Sequence, residues 1–253
     1  MRTLSFFLLL AASLVACQSP KSPAARPLSA DEVVNRSLEA MGDRLLDSVA
    51  VSFDFRGKMY LQEKWGNAFT YHRASRDSLG NETHDVMQGD SLIRTFNGEA
   101  VPLTEKEADI HYHAINSVMY FAFLPYKLND PAAKREWIGD ATVKGIPYHK
   151  VRVTFSPQGG GKDHDDEFVY WFRTDDYQLG YLAYRYHTNE GGVRFREAFN
   201  QRNVGGLVIR DYRNYKHSQP DSVEVKDLDK LWEAGKLELL SDVLLENVEV
   251  KRP

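Results

Sequence analysis

The stretch 167-EFVYWFRTDDYQLGYLAYRYH-187 decides the fold class. It holds two runs of aromatic and aliphatic residues, Glu167 to Arg173 and Gly180 to His187, and such residues favour strands. Between the runs lies Thr174-Asp175-Asp176-Tyr177, whose composition is typical of a tight turn. The stretch therefore predicts a β-hairpin of two neighbouring antiparallel strands.

The same alternation of short apolar runs and turns continues along most of the chain. The turn Asn189-Glu190-Gly191-Gly192 predicts a second hairpin directly after the first. Further strands are predicted at 49–55, 69–73, 91–96, 148–155, 193–200, 206–215 and 243–250. Sequential strands joined by tight turns form an antiparallel meander, which predicts a large curved sheet.

Three segments interrupt this β pattern with helical spacing. Ser29 is a candidate N-cap, Glu32 completes a capping box, and Gly42 follows the last apolar position of that helix. Two more helices are predicted at 105–123 and 227–233. The resulting fold class is α+β and mainly β, a single curved antiparallel sheet or incomplete β-barrel covered by a few helices, in one domain spanning 29–253.

The N-terminus predicts export and a lipid anchor. Residues 1–16 combine a short positive segment with the apolar run from Leu4 to Val15, which is the anatomy of a signal peptide. The sequence Leu14-Val15-Ala16-Cys17 resembles the lipobox of bacterial lipoproteins, and this resemblance implies cleavage after Ala16 and a diacylglyceryl group on Cys17. The alternative is an ordinary secretory signal in which a cysteine stands near the cleavage site by chance. Residues 17–28, rich in Pro and Ser, predict a flexible tether.

Composition argues against a disulfide-stabilised fold and against a nucleic-acid-binding protein. Cys17 is the single cysteine, so no disulfide forms within the chain and the apolar core must stabilise the domain. The formal net charge is −4, and no basic stripe is present, which argues against nucleic acid as a partner. The sequence gives no indication of oligomeric state.

The order of elements is similar to that of a known superfamily. The helix ending at Ala40-Met41-Gly42, the hairpin from Val169 to Leu179 and the strand-to-turn segment from Leu92 to Gly98 together resemble the outer-membrane lipoprotein-carrier (LolA/LolB-like) superfamily. The resemblance implies an incomplete, curved β-barrel closed by helices over an apolar cavity that binds a lipid or another apolar molecule. The chain departs from the superfamily pattern at Arg173, which stands near the position of an expected acid.

Two groups of apolar residues are candidates for the lining of such a cavity. A nearly continuous apolar run, 118–126, contains Met and aromatic residues that suit an adaptable surface. The candidate lining residues are Met119, Tyr120, Phe121 and Phe123 of this run, with Trp171 and Tyr184 of the aromatic hairpin. The alternative interpretation is that these side chains simply fill the core.

Charged residues offer few candidates for chemistry. His111 and His113, or Asp163 and Asp165 of the loop after Gly159-Gly160-Gly161, are weak candidate metal ligands, and a solvated loop is the simpler interpretation of the acids. No nucleophile elbow or phosphate-binding loop is present in the sequence, and no cofactor is predicted.

Two arginines lie on a strand face of their own. Arg194 and Arg196 alternate with Val193 and Phe195, so they point away from the apolar face of that strand. They could meet a lipid head group or an acid on a neighbouring strand, and cross-strand pairing is the commoner arrangement.

These observations favour a non-enzymatic protein that is anchored by lipid to the cell envelope. We expect the anchor to lie in the outer membrane and the domain to lie in the periplasm. Its predicted partners are that membrane and a lipid, acyl chain or other apolar ligand, in a role such as lipid or lipoprotein trafficking. The alternatives are a periplasmic hydrolase or metal-dependent enzyme, and a scaffold of an envelope complex.

Overall fold

The computed structural model describes residues 28–65, 68–158, 165–187 and 190–252. Its three α-helices are α1 (Ala30–Met41), α2 (Glu105–Ala122) and α3 (Leu228–Glu233). Its strands are β1 (Ala50–Phe55), β2 (Lys58–Trp65), β3 (Ala68–Arg76), β4 (Glu82–Gln88), β5 (Ser91–Phe96), β6 (Glu99–Val101), β7 (Ala133–Val143), β8 (Ile146–Phe155), β9 (Glu167–Arg173), β10 (Leu179–Tyr186), β11 (Gly192–Val204), β12 (Leu207–Lys216), β13 (Glu238–Val243) and β14 (Glu246–Lys251).

The strands form two open seven-stranded antiparallel sheets. The first sheet has the order β14-β1-β2-β3-β4-β5-β6, and the second has the order β13-β12-β11-β10-β9-β8-β7. The mainly β, antiparallel fold class with few helices is confirmed, and so is the hairpin of β9 and β10. The hydrogen-bonded ladder is divided into two sheets where a single sheet was expected.

The division occurs where one long strand was predicted at 243–250. The chain leaves the second sheet after Val243, and it enters the first sheet at Glu246. Between these residues, Leu245 is buried against the core of the first sheet, and its amide donates to Asp211 Oδ1 at 2.9 Å. The chain therefore changes sheets here. The predicted strand corresponds to β14, whereas β13 lies before it and shares only Val243 with the prediction.

Besides β13, four strands lack a predicted counterpart, namely β2, β4, β6 and β7. Their sequences are rich in polar residues, as in AKREWIGDATV for β7 and ETHDVMQ for β4. The strands β6 and β7 are the outer edges of the two sheets, where one side of the strand needs no partner and polar side chains face water. Neighbouring strands supply their hydrogen bonds, so these strands form without a strong apolar pattern of their own.

The helices cover different faces of the sheets. On one face of the second sheet, α1 buries Val33, Val34 and Leu38 in a core that includes Phe168 and Tyr170. Against the first sheet, α2 buries side chains in the core that contains the apolar face of β1. On the other face of the second sheet, α3 and the segment before it cover a separate aromatic core.

The predicted ends of α1 are confirmed. The Ser29 amide donates to Glu32 Oε2 at 2.8 Å, and the Glu32 amide donates to Ser29 Oγ at 3.2 Å, which is a complete capping box. Gly42 ends the helix in the left-handed conformation with φ of 82°. A Cβ atom at Gly42 would lie 2.4 Å from the Gly206 carbonyl oxygen, so the helix end is also closely packed against the β11–β12 hairpin.

Within the described part of the chain, no helix is both long enough and apolar enough to cross a membrane.

Candidate functional site

A cavity of about 250 Å³ lies between α2 and the region where the two sheets meet. It is bordered by the end of β1, the second half of α2, three strands of the second sheet and the link between the sheets. Its lining residues are Phe55, Arg56, Ser117, Val118, Phe121, Ala122, Arg196, Arg210, Tyr212, Asn214, Val243 and Leu245.

Strand periodicity positions the polar part of this lining. Arg210, Tyr212 and Asn214 alternate along β12, so all three project from one face of the second sheet. Arg196 of β11 is the direct cross-strand partner of Asn214 and adds a second cation to the same face. The opposite wall is the α2 surface that carries Val118 and Phe121.

Arg196 is held by aromatic side chains. Its Nη2 donates to the Tyr184 hydroxyl at 2.9 Å, and its Cζ lies 3.6 Å from the centroid of the Phe121 ring. Only 8% of Arg196 is exposed, and its Nε is buried without a hydrogen-bond partner. The guanidinium is therefore fixed against two rings while part of its donor capacity remains unused.

Arg210 joins three separate segments. Its Nη1 donates to the Leu124 carbonyl oxygen at 2.8 Å, and its Nη2 donates to Gln178 Oε1 at 2.8 Å. Gln178 in turn donates through Nε2 to the carbonyl oxygen of Ala40, near the end of α1. Arg210 is 2% exposed, and its Nε is also buried without a hydrogen bond. These partners are neutral, so among the described residues the positive charge of Arg210 is solvated by dipoles.

Arg194 and Arg196 do not pair with a neighbouring acid among the described residues. Arg194 donates to the Tyr186 hydroxyl at 2.6 Å, as Arg196 does to Tyr184. Both arginines therefore find tyrosine partners on β10 in place of the carboxylates that cross-strand pairing would supply.

Among the candidate lining residues, Phe121 borders the cavity and Tyr184 lies behind it, bonded to Arg196. Met119 and Phe123 are buried in the core of the first sheet. The side chains of Tyr184, Met119 and Phe123 are therefore not part of the cavity wall.

The other two candidates, Tyr120 of α2 and Trp171 of β9, lie in the cores on the two faces of the second sheet. Tyr120 packs in the α1-side core, where its hydroxyl is 2.5 Å from that of Tyr170, and burial raises the pKa of both phenols. Trp171 lies on the opposite face of the sheet, where its Nε1 donates to Asp229 Oδ2 at 3.1 Å.

A buried ion network occupies the first sheet beneath α2. Asp85 accepts hydrogen bonds from Arg73 at 2.6 and 2.9 Å and from Arg94 at 2.7 and 3.0 Å. Burial raises the pKa of Asp85, but the hydrogen bonds and charges of Arg94 and Arg73 outweigh burial and hold this pKa below its usual value. Two cations thus share one buried carboxylate.

The same network contains one of the candidate metal ligands. Arg94 Nη1 donates to Nε2 of His111 at 2.7 Å, and burial together with the charge of Arg94 lowers the pKa of His111. Both His111 and His113 lie on α2, where residues two apart point in different directions. The structure does not bring these two histidines together as ligands.

The acidic loop contains a different grouping. Asp165, Asp166 and His187 place one potential ligand atom each within 4.8 Å of one another, and Asp163 lies outside the described residues. The His187 amide also donates to Asp166 Oδ1 at 3.3 Å, so this acid already has a structural role at the strand end. The lipidation candidate Cys17 lies outside the described residues as well.

Sequence reasoning singled out Arg196 but missed Arg210, Tyr212 and Asn214. The signal was present, since these residues alternate within the predicted strand at 206–215. The sequence did not show which strand and which helix lie next to this face, and these neighbours determine that the face borders a cavity.

Comparisons with known proteins give a family and distant structural likenesses. The model of DUF6503, a family of unknown function, matches residues 4–247, and no curated protein matches the chain in sequence. A LolA superfamily protein from Nitrosomonas europaea is 10% identical over 75% of this chain and 86% of that one, with a TM-score of 0.46. An outer membrane lipoprotein-sorting protein domain from Vibrio parahaemolyticus is 7% identical over 79% of this chain and 99% of that one, with a TM-score of 0.39.

The lipoprotein LppX from Mycobacterium tuberculosis is 15% identical over 60% of this chain and 85% of that one, with a TM-score of 0.26. The first two structures carry names from the lipoprotein-carrier group that the sequence resembles. Likenesses at these identities and TM-scores assign no ligand. The family match covers nearly the whole chain, and the protein therefore belongs to DUF6503.

Proposed function

We propose that the protein is a non-enzymatic lipoprotein of the cell envelope that binds a lipid, an acyl chain or another apolar molecule between its two sheets. The observation that carries this proposal is the cavity beside α2, whose wall includes the apolar side chains of Phe55, Val118, Phe121, Val243 and Leu245. Six of the twelve lining residues are apolar and six are polar or charged, so this concave space combines apolar contact with fixed polar groups, as small-molecule sites do.

The cavity is small, and this limits the ligand. Sites for drug-sized molecules measure about 300–1,000 Å³, whereas this cavity measures about 250 Å³. One alkyl chain or one end of a longer molecule suits this space better than a complete two-chain lipid. Phe121, whose ring stacks on the Arg196 guanidinium, is the candidate lining residue that we retain in this proposal.

The N-terminal sequence supports the location. A lipobox-like segment ending at Cys17 and a tether over 17–28 would hold the domain, 29–253, at the periplasmic face of the outer membrane. More than one acyl chain is needed for stable attachment, and lipidation of such a cysteine supplies more than one. The membrane is thus one proposed partner and the apolar ligand the other.

Native mass spectrometry of the mature chain carrying Cys17→Ser tests the proposal. We expect a non-covalently bound apolar molecule that is released on denaturation. Val118→Trp should fill the cavity and abolish this adduct. Ile110→Trp is the matched control, because Ile110 lies on the same helix and is 56% exposed, and this variant should keep the adduct. A chain that carries a stoichiometric metal and no apolar molecule would contradict the proposal and favour the enzyme alternative.

A further inference from the structure

The cavity wall carries positive charge and no negative charge. Its twelve lining residues, all in the described part of the chain, include Arg56, Arg196 and Arg210 but neither Asp nor Glu. Arg56 is exposed to solvent, whereas Arg196 and Arg210 are 92% and 98% buried, because their exposed fractions are 8% and 2%. Two buried cations therefore face the same small space.

Neither of these cations has a counter-ion among the described residues. No described carboxylate oxygen lies within 4.0 Å of a nitrogen of Arg196 or Arg210. The buried Arg73 of the first sheet provides the contrast, since it contacts Asp85 at 2.6 Å. Buried charges in proteins are normally paired or bound to an ion, and the two cavity arginines depart from this rule.

The unused donors of both arginines point to the missing partner. Arg196 Nε and Arg210 Nε are both buried without a hydrogen bond. The Tyr212 hydroxyl lies beside the Arg210 guanidinium in the same wall. A carboxylate or phosphate group has several acceptor oxygens, and guanidinium donors bind such groups strongly.

The wall also has an apolar part, which a site for a simple anion would not need. Val118, Phe121, Val243 and Leu245 lie within the same cavity as the two guanidinium groups. A ligand that satisfies both parts of the wall has an acidic head and an alkyl body.

We infer that the cavity binds the carboxylate or phosphate head group of a single-chain amphiphile, with Arg196 and Arg210 as its counter-ions. This inference rests on the proposed function, and it specifies the end of the ligand that the protein holds. The head lies between β11 and β12, and the chain runs along α2 past Phe121 and Val118.

Isothermal titration calorimetry on the mature chain carrying Cys17→Ser tests the inference with four probes. Decanoate and decyl phosphate carry an acidic head on a ten-carbon chain, decanol has the same chain without charge, and inorganic phosphate has the charge without a chain. We expect the better acidic amphiphile to bind about 10–100-fold more tightly than decanol, since a charged hydrogen bond adds a contribution of that size. The comparison of decanoate with decyl phosphate identifies the head group.

Arg196→Gln should remove this preference. The affinity for the acidic amphiphile should fall about tenfold or more, while the affinity for decanol should stay the same. Arg194→Gln is the matched control, because Arg194 lies two residues away on the same face of β11 and does not line the cavity. Arg210 also joins the ends of α1 and α2 through its neutral partners, so Arg196→Gln is the decisive variant if Arg210→Gln fails to fold.

Each outcome supports or overturns a defined statement. Equal affinities for decanol and the acidic amphiphiles, unchanged by Arg196→Gln, would overturn the head-group inference and leave the proposed function standing. Inorganic phosphate binding as tightly as decyl phosphate would show an anion site and overturn the amphiphile inference. If decanol and both acidic amphiphiles all fail to bind, the proposed function itself is wrong.

Discussion

Replacing Asp85 by Asn should destabilise the protein strongly, because this buried carboxylate neutralises the buried Arg73 and the half-buried Arg94. The Asp85 side chain is 2% exposed and the Arg73 side chain 7%, whereas the Arg94 side chain, at 19%, is closer to water. Breaking a buried ion pair from one side costs about 3–5 kcal/mol. Because Arg94 keeps access to solvent and to His111, we expect a loss near the lower end, about 3 kcal/mol.

Urea unfolding followed by tryptophan fluorescence measures this loss. For a slope of about 3 kcal/mol/M, the midpoint of Asp85→Asn should move down by about 1 M at neutral pH. Glu82→Gln is the matched control on the same strand. Its partner Arg76 is 75% exposed and Glu82 itself 44%, so this ion pair is worth at most about 1 kcal/mol.

The pH dependence gives a second test of the same reasoning. The pKa of Asp85 is lowered in the folded state, so its stabilisation is complete above the unfolded pKa of about 4 and is lost as the pH falls through the folded value. The difference between the unmodified chain and Asp85→Asn should therefore shrink in acid. A midpoint shift no larger than that of Glu82→Gln, or one that does not change with pH, would refute the buried-network argument.

Three further predictions concern other parts of the chain. Gly42→Ala should lower the free energy of unfolding by about 3 kcal/mol, because the residue is left-handed and the new Cβ would clash with a backbone oxygen. Gly80 has a similar φ of 84° but open space around it, so Gly80→Ala should lower this free energy by only about 1 kcal/mol. Urea unfolding measures both losses. Tyr120→Phe should cost about 1–3 kcal/mol, because the buried Tyr170 hydroxyl loses its partner; an unchanged unfolding midpoint would show that this contact contributes nothing. Cys17→Ser should move the protein from the membrane to the soluble periplasmic fraction or leave the signal peptide uncleaved. Membrane attachment that persists after cleavage at another site would disprove the lipid anchor.

Much of the secondary structure followed from local sequence. The capping box of Ser29 and Glu32, the helix end at Gly42 and the β9–β10 hairpin are local features, and the structure contains all three. The strands β2, β4, β6 and β7 could not be predicted in this way. Their polar residues are compatible with several conformations, and hydrogen bonds to neighbouring strands decide the outcome.

The candidate site, too, could be predicted from the sequence only in part. Strand periodicity placed Arg194 and Arg196 on one face of β11, which is the arrangement in the structure. The same periodicity puts Tyr170 and Trp171 on opposite faces of β9, but it could not show which of these faces is directed toward α1. Which face borders the cavity depends on helices that are distant in sequence.

The sequence by itself determined a β-rich, antiparallel chain with capped helices, one cysteine and a lipobox-like N-terminus, because each of these features depends on neighbouring residues. The tertiary structure alone decided that the strands divide into two sheets at Leu245 and that two buried arginines share a cavity with no acid among its described lining residues. Both facts depend on contacts between distant segments, such as Arg210 with Leu124 and Leu245 with Asp211. Local propensity carries no information about such contacts, because they join residues that are far apart in the sequence.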